Sequence, residues 1–433
     1  MSELSAHLAA ALPLQEPGPA PQWVQVLRNS GAEQFRAHGL PTRKDEAWKY
    51  TGLGVLDQRG LELATVAAET ASGSLHPAPL ATVAQTANML DGQLHSLAGT
   101  SPTGLTVLPL ADALNNETSG LQAMLETLTE SGKGGSANGF SALNTATLSS
   151  GLFIHVAAGK DGGKLLLNWA TRSTGAALLF NSRVCVILEK GAKLELLEQF
   201  EGIAQTANTS NIVVQANLDD GAGLRHVRFQ QESDSTVLMT RTEVLQQANS
   251  EYAYFGFDLG GGLVRHELHA SLLGTGAKSS LNGAYLLDGH RHVDNHARVD
   301  HIAKCGISDQ YFRGVAGGSG KAVFNTAVVV HPGADEAEAK QSNANILLSA
   351  RAEVDTKPEL EIYADEVVAS HGATVGQLDE LAVFYLRSRG LTEQASRQLL
   401  TTAFCQSVSD KLNDPALSAV ISERMMDVMP QAD

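Results

Sequence analysis

The length, composition and charge of the chain describe a large acidic globular protein. Its 433 residues, 43% of them hydrophobic, suffice for two or three domains with a sizeable buried core. The formal charge of −16 argues against nucleic-acid and anionic-membrane partners, because both would repel the protein. No stretch reaches the ~18 apolar residues of a membrane-spanning helix. Because Met1–Leu4 lacks the basic start of a signal peptide, the predicted location is the cytoplasm.

Residues 1–148 are predicted to form a mostly helical N-terminal region. A leucine at every fourth position of Leu4–Leu12 indicates a short helix. An amphipathic pattern predicts a second helix over Trp23–His38, and a third is predicted near Leu121–Leu128. The remainder of Glu69–Gly139 is rich in Ala, Ser, Thr and Gly and predicts no definite element.

From residue 149 to 368 the hydrophobic period changes to two, which is typical of strands. Short apolar runs such as Val184–Leu188 are separated by Gly-Ala turns, whose glycines include Gly191, Gly221 and Gly276. A recurring turn about every 25–30 residues suggests stacked coils of strand. Helix-period segments are few, which disfavours a βαβ sheet. The pattern leaves a β-helix and a large β-sandwich open.

Residues 369–433 are predicted to form a C-terminal helical domain. Asp379 is a good N-cap and Gly390 a good C′ residue for a first helix. A second helix is predicted after Thr392, and a third from Asp414-Pro415, where proline takes the first helical position. The expected product is a three-helix unit at the end of a β body.

A cluster of histidines is the first candidate site. Its members are His290, His292, His296 and His301. On a strand the first three would point the same way as Asp294, and their spacing occurs in metal-binding β-sandwiches of the cupin type. The competing interpretation is a structural polar face, in which the histidines pair with Asp288, Asp294 and Asp300. A metal-dependent β-fold enzyme is therefore one hypothesis.

The glycine-rich run Gly314–Ala322 has the texture of a phosphate loop but lacks its required residues. A phosphate loop would need glycine at Val315 and serine or threonine at Ala322. The run is instead predicted to be a turn between the strands Gln310–Arg313 and Ala322–Asn325. No nucleotide is expected to bind to this chain.

The three cysteines are too far apart for a disulfide framework or a CxxC metal pattern. Cys185 and Cys405 lie in apolar surroundings and are predicted to be small core residues. Cys305 precedes a polar turn and is the plausible reactive thiol.

A resemblance to a known family rests on five segments. They are PTRKDEAWKYT (Pro41–Thr51), YLLDGHRHVDNHARVDH (Tyr285–His301), EVDTKPELEIYADEV (Glu353–Val367), SHGATVGQLDE (Ser370–Glu380) and FYLRSRGL (Phe384–Leu391). They resemble the SufD family of iron–sulfur cluster assembly proteins, which is paralogous to SufB. The resemblance covers nearly the whole chain. It implies a mainly β protein, with a right-handed parallel β-helix core flanked by N-terminal and C-terminal α-helical domains.

The resemblance also implies a role in assembly rather than catalysis. A SufD-like chain is expected to pair with a SufB-like subunit and to dock a SufC-like ATPase through its C-terminal helices. It would support iron acquisition and formation of a transient iron–sulfur cluster. The SufC contact group is predicted to be Phe384, Tyr385, Arg387 and Arg389.

His371, predicted to lie on a turn between strand and helix, is the residue that the resemblance places at the cluster-forming boundary with SufB. It is predicted to be a metal ligand shared with that partner, because one histidine cannot hold a cluster alone. Many relatives have cysteine two residues earlier, where this chain has Ala369. A neighbouring thiolate ligand is therefore not expected.

Three functions thus compete: the assembly subunit, the metal-dependent enzyme, and a homo-oligomeric structural β-solenoid. The free sheet edge of a β-helix must be covered, since it otherwise invites aggregation. A homodimer is therefore predicted when the chain is expressed alone.

Overall fold

The computed structural model of the protein describes residues 2–12, 20–64, 80–116, 118, 120–131, 139–171, 177–202 and 207–430. The strands are β1 (Glu62–Leu63), β2 (Gln85–Leu90), β3 (Gln93–Gly99), β4 (Leu105–Pro109), β5 (Gly151–Val156), β6 (Asp161–Ala170), β7 (Leu178–Leu188), β8 (Lys193–Glu201), β9 (Thr209–Leu218), β10 (Gly223–Gln231), β11 (Val237–Gln246), β12 (Glu251–Asp258), β13 (Leu263–Leu272), β14 (Lys278–Leu287), β15 (His292–His301), β16 (Ile307–Ala316), β17 (Lys321–Val330), β18 (Glu338–Leu347), β19 (Glu353–Ile362) and β20 (Val368–Gly376). The helices are α1 (Glu3–Ala11), α2 (Gln22–His38), α3 (Gly54–Asp57), α4 (Leu110–Asn115), α5 (Leu121–Ser131), α6 (Gly139–Ala146), α7 (Glu380–Ser388), α8 (Glu393–Ser409) and α9 (Pro415–Asp427), with 3-10 turns at Glu46–Trp48 and Asp410–Leu412.

Strands β5 to β20 build a parallel β-solenoid. Odd-numbered strands from β5 to β19 follow one another in sheet A, and even-numbered strands from β6 to β20 follow one another in sheet B. Each strand from β5 to β18 pairs in parallel with the strand two places later in the chain, so two strands make one coil. The predicted parallel β-helix core is confirmed, and the sandwich is wrong.

One left-handed residue per coil turns the chain from sheet A to sheet B. The residues with positive φ at this position are Gly159, Gly191, Gly221, Asn249, Gly276, Cys305, Glu336 and Glu366, and the turn between β17 and β18 has a second one, Gly333. Successive corners are hydrogen-bonded: the Gly191 N–H donates to the Asp220 carbonyl, and the Cys305 N–H donates to that of Asp335. The predicted Gly-Ala turns, at Gly191, Gly221 and Gly276, are three of these corners. Glycine suits them because it adopts positive φ without a steric penalty.

Three apolar layers hold the fold together. Side chains such as Leu196, Val214 and Val264 fill the space between the two sheets. Helices α8 and α9 cover the outer face of sheet B, with Ile421 packed into the same cluster as Phe257. The N-terminal helices cover the outer face of sheet A. Each fully buried side chain of this size contributes about 1.5–3 kcal/mol, so both helical layers are firmly attached.

The predicted helices of both flanking regions are confirmed. In the tail, the Asp379 carboxylate accepts from the Leu381 N–H at 2.9 Å, and the side chain of Asp414 caps α9 before Pro415. Gly390 follows α7 with φ +98. Residues 1–148 also contain strands β2, β3 and β4, which the composition did not indicate. None of the described helices is long and apolar enough to cross a membrane.

Candidate functional site

The last coil forms an open end of the solenoid. Among the described residues, β19 pairs with β17 alone and β20 with β18 alone, so one edge of each strand is free. Large apolar side chains are exposed beside these edges: Val368 is 63% exposed, Tyr363 60%, Ile362 44% and Val375 43%. An added strand, or the open end of a second solenoid, can hydrogen-bond to these free main-chain groups and cover the apolar side chains beside them.

His371 is the fourth of the nine residues of strand β20, and it does not lie on a turn as predicted. The strand runs past residue 368, where the sequence placed the start of the helical domain, and the helices begin at Glu380. The run SHGATVG resembled a turn because of its glycines. Gly372 and Gly376, however, do not have positive φ, and a Cβ at either would meet nothing within 4 Å. Both therefore fit an ordinary extended strand.

The side of β20 that carries His371 is the side that faces the solenoid interior. In the register, Ala369 is opposite Ala339 and His371 is opposite Gln341. Ala339 and Gln341 are buried, and Ala369 packs against the inter-sheet core. Because side chains alternate along a strand, His371 shares this face with Ala369. It is exposed because no further coil covers it.

Helix α7 presents an apolar patch to solvent. Leu381 is 78% exposed, Phe384 69% and Tyr385 57%, whereas Val383 on the opposite side is 2% exposed. We call the three exposed residues the α7 patch. Single exposed apolar residues are common, but several on one short helix mark an interaction surface.

The structure separates the two arginines that were grouped with this helix. The Arg389 side chain lies over the Tyr385 ring at 5.2 Å, and its Nη2 donates to the tyrosine hydroxyl at 3.2 Å. Arg387 forms an ion pair with Glu393 of α8 at 3.2 Å. Phe384, Tyr385 and Arg389 thus lie on or beside the α7 patch, whereas Arg387 links two helices.

The histidine cluster of β15 is a structural network. Arg265 binds the Asp294 carboxylate and lies 3.1 Å from Nε2 of His296. Thr51 donates to Asp294 at 2.5 Å and lies 3.1 Å from Nε2 of His292. A guanidinium therefore occupies the place that a cation would need. His290 is exposed in the preceding turn.

The electrostatics of this network agree with its geometry. Burial works against ionisation of Asp294, but the Arg265 guanidinium outweighs burial and lowers the pKa of that carboxyl. Burial lowers the pKa of His292 to about 4, so this imidazole is neutral at pH 7. No group of three or more His, Cys, Asp and Glu side chains in the described ranges is arranged to hold a metal ion. The structure gives no support to the cupin-like hypothesis.

The glycine-rich run is the predicted turn, between β16 and β17. Gly318 takes positive φ there. Lys321, which a phosphate loop would use for its ligand, binds Glu353 at 2.9 Å and Asp355 at 3.3 Å.

The cysteines differ in reactivity. Cys185 and Cys405 are fully buried, and burial raises the pKa of each thiol to about 12. The Cys305 thiol is half-buried and donates to Glu336 at 3.6 Å. Burial and this carboxylate raise the pKa of Cys305, which disfavours the reactive thiolate.

Comparison with known families places these features in context. Residues 171–404 match the core-domain model described as "SUF system FeS cluster assembly, SufBD core domain". Residues 19–164 match the model of the SufBD protein N-terminal region. The chain belongs to the SufBD family. The predicted resemblance is thereby confirmed.

Similar proteins come from bacteria and a plant. The chain of this SufBD protein is 28% identical to the iron–sulfur cluster assembly protein SufD of Escherichia coli, over 92% of this chain and 91% of that protein. It is 27% identical to a SufBD family protein of Synechocystis, over 89% and 86% of the two chains. It is 29% identical to the chloroplastic protein ABCI7 of Arabidopsis thaliana, over 94% and 84%.

Sequence reasoning missed several residues of this surface. Leu381 is the most exposed member of the α7 patch, yet it was not among the predicted contact residues. Ile362 and Val375 also lie in apolar patterns typical of core strands. Both are exposed because no further coil stacks on β19 and β20. A local sequence pattern does not indicate which coil is the last.

Proposed function

We propose that this SufBD protein is a non-catalytic subunit of a SufBCD-type scaffold complex for iron–sulfur cluster assembly. Its open end would pair with a SufB-like subunit, and its α7 patch would dock a SufC-like ATPase. His371 would supply one ligand during iron acquisition and formation of the transient cluster, and the partner would supply the others. The observation behind this proposal is the exposed His371 on a free edge strand among exposed apolar side chains. The cytoplasm remains the predicted location.

The chemistry of the open end suits a shared site. Neutral imidazole is a good ligand for iron. A partner strand added to β20 would place its own side chains beside His371 and would cover Val375 and Val368. Covering these side chains would exclude water from the boundary, which strengthens every polar interaction there.

Docking of the ATPase is tested with a substitution on the α7 patch. We expect the double variant Leu381→Ser/Phe384→Ser to co-purify with a SufB-like subunit and to lose the SufC-like ATPase. Both side chains are more than two-thirds exposed, so the fold should be unaffected. The matched control is Val26→Ser, which is 60% exposed on α2 against the other sheet. Retention of the ATPase by the double variant would remove α7 from the docking surface.

Pairing through the open end is tested with a charge at Val375. We predict that the chain alone forms a homodimer through this end, and that Val375→Asp makes it monomeric because the carboxylate would be buried unpaired. The same variant should fail to bind a SufB-like subunit. Val26→Asp is the control. Light scattering that shows a clean monomer for the unmodified chain at micromolar concentration would contradict the homodimer.

A further inference from the structure

A relay of polar side chains lies in the column beneath His371, within the last three coils. The Thr326 hydroxyl donates to Oε1 of Gln310. Nε2 of Gln341 donates to the Thr326 oxygen at 3.3 Å and to the Glu359 carbonyl at 3.4 Å. Gln341 is 4% exposed and Gln310 1% exposed. Amide groups this deep in a core are costly unless each of their atoms is hydrogen-bonded.

The relay fixes the orientation of the Gln341 amide. Thr326 has a single hydroxyl hydrogen, which it gives to Gln310, so its oxygen must accept from Gln341. The Glu359 carbonyl is an acceptor as well. Nε2 of Gln341 must therefore face Thr326 and Glu359, and Oε1 must face elsewhere. In the described part of the chain this buried Oε1 has no hydrogen-bond donor.

His371 is the next residue above Gln341 in the same column of side chains. It is the register partner of Gln341 and lies on the same face of sheet B. Paired side chains on neighbouring strands lie about 4.5–5.5 Å apart at Cβ, which is within reach of an amide and an imidazole. The His371 ring is exposed and can rotate toward Gln341 without displacing a packed side chain.

We propose that Gln341 is a positioning residue for His371, and this inference rests on the proposed function. Oε1 of Gln341 accepts a hydrogen bond from one ring N–H of His371. The other ring nitrogen is thereby left unprotonated and directed out of the open end, where a metal ion would meet it. A hydrogen bond from the far nitrogen is the usual way in which proteins fix the tautomer and orientation of a ligating histidine.

The experiment measures the tautomer of His371 in the full-length chain without partners. Histidine-selective ¹⁵N NMR separates the two tautomers, and the His371 signals are assigned by their absence from His371→Ala. We expect Gln341→Leu to shift the tautomer ratio about fivefold, as one net hydrogen bond would. Gln341→Glu, which keeps an acceptor oxygen at this place, should retain the bias of the unmodified chain.

The matched control is Gln246→Leu, a fully buried glutamine of a deeper coil whose amide bonds the Lys278 carbonyl and takes no part in the relay. It removes a buried amide of the same size and should leave the tautomer ratio unchanged. An unchanged ratio in Gln341→Leu would overturn the inference. So would an equal shift in Gln246→Leu, which would indicate a general effect of losing a buried amide and not the loss of a bond to His371.

Failure of this inference and failure of the proposed function give different results. In a complex that assembles clusters, Gln341→Leu should slow cluster formation by about tenfold, the lower end for loss of a ligand's hydrogen-bond partner. If Gln341→Leu keeps the normal tautomer ratio while His371→Ala impairs cluster formation, the role of Gln341 is rejected and the assembly function is kept. If Gln341→Leu shifts the ratio while His371→Ala forms clusters normally, the role of Gln341 is kept and the assembly role of His371 is rejected.

Discussion

Two regions of this solenoid contain histidines, and their surroundings differ. On the outer face of sheet A, His292 and His296 surround Asp294 and Arg265 beneath the N-terminal segment, and the Arg265 guanidinium lies 3.8 Å from the Trp48 ring. At the open end, His371 stands on an edge strand, and its side chain forms no hydrogen bond or ion pair with the described residues. The first region is closed by its own chain, whereas the second remains open to a partner.

The difference shows that a metal-like spacing is weaker support for a site than a free ligand at an open surface. His292, Asp294 and His296 have the spacing of a ligand set, yet their polar atoms are used by Thr51 and Arg265. His371 has no such set among the residues that the structure describes. In the proposed complex, a second subunit would complete a site around it by binding at the free edges of β19 and β20.

The largest expected effect is in the closed region. Asp294→Asn keeps the shape of the side chain but removes one of the two carboxylates that pair with the buried Arg265, so that Glu267 is its remaining partner. We expect the free energy of unfolding to fall by about 3 kcal/mol, as for a buried ion pair that loses one partner. Urea unfolding of the variant and of the unmodified chain measures this difference in free energy. Asp288→Asn, on the exposed turn before β15, is the control and should change stability by less than ~0.5 kcal/mol. Equal, small effects would mean that the closed region is not a structural network.

A second, smaller effect concerns pH. His269, on the same outer face of sheet A, lies 2.5 Å from the Asp300 carboxylate and 3.5 Å from the Glu243 carboxylate. Burial alone would lower the pKa of His269, but these bonds outweigh burial and raise the pKa from 6.5 to about 9. The folded chain therefore holds a proton that the unfolded chain loses between these pH values. This stabilisation is complete below about pH 6.5 and is lost as the pH rises through about 9.

The measurement is urea unfolding of the unmodified chain and of His269→Gln at pH 6.5 and pH 9.5. Since about a quarter of the His269 side chain is exposed (26%), we expect the unmodified chain to lose about 2 kcal/mol more than the variant over this interval. Identical pH dependence of both proteins would show that His269 carries no proton in the folded state at neutral pH.

How much the sequence could predict depends on how local each signal is. The caps of α7 and α9 and the turns at Gly191, Gly221 and Gly276 follow from neighbouring residues, and the structure confirms them. The sequence did not predict the corners at Asn249 and Glu336, because residues other than glycine seldom adopt positive φ.

The candidate site was less predictable for the same reason. The partners of Asp294 are Thr51 and Arg265, and Thr51 lies 243 positions away in the sequence. No spacing rule joins residues so distant. His371 was found through the family resemblance, but its glycine neighbours suggested a turn. Its place on β20 follows from pairing with β18, a long-range contact that local propensity does not contain.

The smallest expected effect on stability is at the open end. His371→Ala should leave the free energy of unfolding within ~0.5 kcal/mol of the unmodified chain, because the ring is exposed. The same variant should reduce cluster delivery by the assembled complex, since the partner's ligands would lack one donor. Asn325→Ala, half-buried on the outer face of β17 and away from the open end, is a control for non-specific effects. Normal maturation of target proteins with His371→Ala would mean that the open end serves subunit pairing alone.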